Sequence, residues 1–98
     1  MKEKIILAEI QFNDTAQDFF NFPITNPIRI SFWGEKQHLS TFSEIRITDK
    51  PIEINKKFVL EINIMDRDFL TETLKIGNPF NLGVFPIIIA QGKILDLK

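Results

Sequence analysis

The closing stretch of the chain constrains the fold most. Phe80-Asn81-Leu82-Gly83-Val84-Phe85-Pro86-Ile87-Ile88-Ile89-Ala90-Gln91-Gly92-Lys93-Ile94-Leu95 sets two apolar arms about a turn that carries Gly83 and Pro86. That is the pattern of a β-hairpin. In the second arm Ala90 and Gly92 stand two positions apart, on one strand face. Small side chains there let another backbone approach, as at the tight corner of a barrel. The segment specifies architecture and carries no chemistry of its own.

The rest of the chain repeats the strand theme. Ile6, Ala8, Ile10 and Phe12 alternate with Leu7, Glu9 and Gln11, which predicts a first strand over about residues 4–12. Ile28, Ile30 and Phe32 alternate with Arg29, Ser31 and Trp33 in a strand ending at Gly34. Ile45 and Ile47 alternate with Glu44, Arg46 and Thr48, and Phe58 to Ile64 gives the cleanest alternation of all. Asn13 to Asp18 is expected as loop, Asp49-Lys50-Pro51 and the stretch after Met65 as turns, and Pro23 and Pro27 bar a central strand around Phe19–Phe22. Residues 69–76 suit a strand or one helical turn, with Thr71 and Thr73 favouring strand. Six or seven strands without a convincing helix predict a single all-β domain, a barrel or a sandwich, over residues 1–98.

Composition narrows the function classes. The 98 residues carry 12 Lys and Arg against 13 Asp and Glu, a net charge of -1. Such a balance gives no whole-molecule attraction to nucleic acid or acidic membranes, and little repulsion against self-association. Cysteine is absent, so neither a disulfide framework nor thiol chemistry is expected, which fits a cytoplasmic protein. The apolar run after Lys4 is broken at Glu9 and lacks a small-residue cleavage site, so no secretory signal is expected. No apolar run approaches the roughly 20 residues of a membrane-spanning helix.

The hairpin resembles the C-terminal, third domain of elongation factor Tu and its relatives. Gly77, Phe80, Leu82, Ile89, Ala90, Gly92 and Ile94 fall on that family's closing pattern without a gap. Upstream, Phe58 to Ile64, Arg29 to Phe32, Glu44 to Ile47 and Ile5 to Phe12 look like its earlier strands. The resemblance implies a free-standing antiparallel Greek-key barrel of six to seven strands, with Gly77, Phe80, Ala90 and Gly92 shaping the hairpin. In the family the turn carries an arginine, an acid and paired glycines near the contact with transfer RNA. Here Gly83, Val84, Phe85 and Pro86 stand in their place. A phosphate-binding turn needs cations or free backbone N–H groups, which Phe85 and Pro86 do not supply. The RNA contact is therefore not carried over. The chain also holds no G-x-x-x-x-G-K-[ST] loop, so GTP hydrolysis is not expected.

Other candidate sites have plainer readings beside the functional ones. His38, the one histidine, is a general base only if Ser40, Ser43 or Glu44 join it; otherwise it is an exposed loop residue. One histidine without cysteine cannot build a usual zinc site. Asp14, Asp18, Asp66 and Asp68 miss calcium-loop spacing and suit solvated turns. Trp33 with Phe19, Phe20, Phe22 and Phe32 can stack on bases only with interleaved cations, and Arg29 is the single one in that segment. Lys56-Lys57 is too short for a nucleic-acid patch.

The last strand is more apolar than one core face requires. With Ile88, Ala90, Gly92 and Ile94 inward, alternation turns Ile87 and Ile89 outward, and Val84 and Phe85 extend that patch. Either a partner or the chain's own N-terminal segment or Phe19–Phe22 loop covers it. The expectation is a non-enzymatic protein-binding module that meets a second copy or another protein through Val84, Phe85, Ile87 and Ile89. No cofactor, metal or small-molecule substrate is expected, and nucleic acid is not an expected partner. The alternatives are an RNA-associated translation accessory protein and a small enzyme using His38.

Overall fold

The computed structural model describes residues 2–46 and 50–98. Among them run six strands: β1 (Glu3–Phe12), β2 (Ile28–Gly34), β3 (Thr41–Ile45), β4 (Lys57–Met65), β5 (Pro79–Val84) and β6 (Ile87–Leu97). They close into a barrel in the order β1-β4-β3-β2-β5-β6, every neighbour antiparallel. β2, β3 and β4 follow one another, and β1 lies beside β4, which is a Greek key. The alternation of apolar residues sets the register: Ile6 faces Ile62 and Ala8 faces Leu60, all four buried. Ile47 and Thr48, expected in the third strand, and Asp49, expected in a turn, lie outside the described residues.

The core shows what the small residues of β6 do. Gly92 pairs with Ile10 on one side and with Phe80 on the other. A Cβ at Gly92 would sit 2.5 Å from the Glu9 carbonyl oxygen and 2.6 Å from Cζ of Phe80, so the bare backbone admits both strand and ring. The Phe80 ring stacks on Phe32 with centroids 4.8 Å apart, and Phe12 meets Phe22 edge-on at 5.6 Å. Ala90 pairs with Phe12 and Leu82, again small against large. Gly77, at φ 91°, turns the chain into β5, and its N–H donates to Ile94 O at 2.7 Å.

One segment takes the second of its two expected forms, and another differs from its sequence reading. Residues 69–76 form no strand: a short 3-10 turn at Asp68–Leu70 runs into further turns. The N–H groups of Thr73 and Leu74 donate to Leu70 O, and Leu70 and Leu74 both enter the core. Their spacing of four is helical, and it outweighs the strand preference of Thr71 and Thr73. Asn13 to Asp18 is not plain loop but a 3-10 turn over Asp14–Asp18, capped by Asn13 Oδ1, which accepts from the Thr15 N–H at 2.9 Å. The turn buries Ala16 and lies against β6.

Candidate interaction surface

The surface is built on the β5–β6 hairpin, and a bulge decides which side chains it shows. Leu82 pairs with Ala90 but Gly83 pairs with Ile88, so Ile89 is an extra residue. Alternation breaks there. Ile89 and Ala90 both turn inward and are completely buried, whereas Ile88 is 37% exposed. The expected placement of Ile88 inside and Ile89 outside is thus reversed, and Ile89 is not part of any exposed rim. Ile87 and Val84, which pair across the turn, are exposed as expected, each at 47%.

The tip does not stand straight out. A Cβ on Gly83 would fall 1.9 Å from the Ile87 carbonyl oxygen, so the turn backbone curls directly over β5 at a place only glycine allows. This brings Phe85 onto the outer face of β2. Its ring meets Trp33 edge-on, with centroids 5.0 Å apart and planes at 88°. Trp33 is left only 4% exposed although it points away from the barrel core. Asn81, its partner on β5, is buried too, and its Oδ1 accepts from Gln91 Nε2 at 3.3 Å. Phe85 therefore supports the tip from beneath, and Val84, Ile87 and Ile88 form what it presents.

Sequence reasoning missed Phe42. The register carries a row across four strands, from Phe42 on β3 through Ser31 and Gly83 to Ile88 on β6. Phe42 is 72% exposed. β3 is inverted: its polar Thr41 and Ser43 face the interior and its phenylalanine faces out. Both hydroxyls are satisfied there, Thr41 Oγ1 donating to Met65 O and Ser43 Oγ to Ile30 O, each at 2.7 Å. Had alternation been traced back from Ile45, Phe42 would have stood opposite the core face.

The other candidate residues are scattered. His38 is exposed after β2, and no hydrogen bond joins it to a carboxylate among the described residues. Ser43 is spent inside the barrel, and Glu44 faces outward, 3.5 Å from Arg29. Asp14 accepts from Asn55 Nδ2 at 2.7 Å, and Asp66 lies 3.9 Å from Lys4. Among the described residues no group of three or more His, Cys, Asp or Glu converges as metal ligands do. Phe32 is core, Phe20 and Phe22 pack on the core, and Trp33 is under Phe85, so these aromatics share no open platform. Lys56 pairs with Glu53 at 3.0 Å, and Lys57 lies 3.9 Å from Glu9. Among the described residues no helix is long and apolar enough to cross a membrane.

One carboxyl is electrostatically distinguished. Glu61 on β4 hydrogen-bonds the Lys98 ammonium, which also attracts it by charge. Lys98 holds the carboxyl below its ordinary range against an opposing effect of burial, with Arg46 adding a still lesser pull. No protein-family model matches the chain, and no curated protein is significantly similar to it.

Proposed function

We propose that this chain is a non-enzymatic, protein-binding barrel that works in the cytoplasm as a counterpart of the third domain of elongation factor Tu. It meets a second copy of itself or another protein through Val84, Ile87 and Ile88, with Phe85 as their support. The observation that carries this reading is the hairpin tip: three large aliphatic side chains exposed together on a turn braced by Phe85 and Trp33. Burying such a side chain from full exposure is worth about 1.5–3 kcal/mol, and with 37–47% of each still exposed a partner gains roughly half of that or less by covering them. The surface charge favours protein over RNA. Lys4, Arg29, Lys56, Lys57, Lys75 and Lys98 each lie within 4 Å of a carboxylate, so half of the 12 cations sit beside an anion that a phosphate would have to displace.

Light scattering over a wide concentration range tests self-association. The expected result is a mass that rises toward a dimer with concentration, and stays at the monomer value in an Ile87→Ser, Ile88→Ser double variant. A monomer at every concentration removes the second copy as the partner. If, in addition, no protein recovered on the parent chain is lost from the double variant, the tip is not a binding surface.

A further inference from the structure

The barrel wall has a gap beside the hairpin tip. β2 starts at Ile28, but its ladder with β5 starts only at Ser31, which pairs with Gly83. Val84 pairs with Ile87 instead, and the turn beyond it curls outward to Trp33. The place opposite Arg29 in the line of β5 is thus left without a strand. The direction of pairing shows what faces that place. The Arg46 N–H donates to Glu61 O, so Glu44, two residues earlier, also turns its main chain toward β4. Ser43 and Ile45 then bond Ile30 and Ile28, and Arg29 points its N–H and C=O the other way, into the gap. Among the described residues no loop or turn backbone bonds them. Below the gap the chain runs from the 3-10 turn beside β6 to Ile24, which bridges Ile52, and returns to β2 at Ile28. β6 and β2 are the strands that flank β5, so the opening between these two legs faces the gap. An open cavity of about 270 Å³ lies there, with Phe20, Pro23, Ile24 and Ile28 in its lining.

We propose that this gap takes an extended segment of a protein partner, which adds to β2 in place of the missing end of β5. The N–H and C=O of Arg29 exchange two hydrogen bonds with one residue of the segment. The next residue lies opposite Ile28, whose side chain packs inward, and so sends its own side chain into the cavity. The cavity is smaller than the roughly 300–1,000 Å³ of small-molecule sites and suits one large apolar side chain. Phe20, Pro23, Ile24 and Ile28 give that side chain apolar walls. Pro27 has no N–H to offer, so the edge ends after this short stretch. A second copy is the wrong occupant. Its strands are already closed into their own barrel, and joining two such edges about a two-fold axis sets two Arg29 side chains opposite each other, a like-charge pair. The inference rests on the protein-binding reading and adds the partner's conformation and its anchoring residue, at a place next to Val84.

The test titrates the full, isotope-labelled chain with the capped peptide Thr-Thr-Phe-Thr-Thr, whose residues favour extended backbone, and follows it by two-dimensional amide NMR. Saturable shifts are expected at Phe20, Ile24, Ile28 and Arg29, with the Arg29 amide proton moving downfield as it gains an acceptor. A peptide N-methylated at the threonine directly before the phenylalanine loses the donor to Arg29 O and should bind about tenfold more weakly. Serine in place of the phenylalanine leaves the cavity unfilled and should weaken binding about tenfold or more. Both changes are made in the peptide, so loss of folding cannot imitate them. Equal binding of the N-methylated peptide, shifts centred on Val84, Ile87 and Ile88, or no shift up to the peptide's solubility limit overturns the proposal. Each of these outcomes leaves the light-scattering result at the hairpin tip untouched, so the two readings fail separately.

Discussion

Two patches on the outside of one barrel solve the exposure of an outward aromatic in opposite ways. On β2, Trp33 points away from the core yet is buried, because the hairpin tip curls back and sets Phe85 against it. On β3, Phe42 points away from the core and stays 72% exposed. The difference lies in the neighbouring strand. β5 offers Gly83 at the place where the turn backbone must pass, and the bulge at Ile89 lets β6 follow that curl. β3 and β4 offer no such device beside Phe42. Outward aromatics are thus not one class: one is covered by the hairpin tip, and the other stays in water.

Gly83→Ala should break this contrast with the largest effect. The new Cβ meets the backbone of Ile87, not a flexible side chain, so the turn itself has to move. A loss of about 3 kcal/mol is expected, at the upper end for overpacking. Phe42→Ser should change stability by less than about 0.5 kcal/mol, as an exposed position does. Urea unfolding followed by Trp33 emission measures both. Similar losses for the two variants would mean that the chain depends on Phe42 as much as on its curled tip.

Phe85→Ala comes next and isolates the cover from the curl. Removing the ring deletes an edge-on aromatic pair and part of an apolar contact, for about 2 kcal/mol in a half-buried position. The chain has a single tryptophan, so its emission reports on this site alone. A red shift in the folded variant is expected as water reaches the indole. An unshifted spectrum would show that something other than Phe85 keeps Trp33 dry.

The contrast was only half legible in the sequence. Most strand positions and the all-β class followed from alternation, because Ile6, Ala8, Ile10 and Phe12 against Leu60, Ile62 and Ile64 admit one buried face, and the small Ala90 and Gly92 pointed to the barrel. The tip did not follow, since alternation carries no sign of a bulge: Ile87, Ile88 and Ile89 are the same residue, and an inserted one is invisible among them. Phe42 was lost for the reverse reason. A strand that buries Thr41 and Ser43 looks like a polar stretch until their hydroxyls are seen to bond Met65 O and Ile30 O. Residues 69–76 stayed open between strand and helical turn because Thr71 and Thr73 pull against the spacing of Leu70 and Leu74.

A second form of closure, by charge, lies on the outer face of β4 and should be the weaker. Glu61 is two residues before Asn63 on the same outward face of β4, and Lys98 reaches it from the end of the chain, where its N–H also donates to Ile5 O at 2.9 Å. The folded-state carboxyl titrates below its ordinary value of 4.5 because of Lys98. A depressed folded value means that the pair's stabilisation is in place above the unfolded carboxyl's range and fades as pH falls through the folded one. Lys98→Gln should therefore be slightly less stable than the parent near neutrality and equal to it in acid, once Glu61 is protonated in both. Added salt should shrink the neutral-pH gap, because the pair faces solvent. A gap that persists unchanged into acid would assign the effect to the Lys98 stem packing on the strand instead. Charge alone would then close neither kind of outer face on this barrel, and side-chain cover of the Phe85 type would be its one working means.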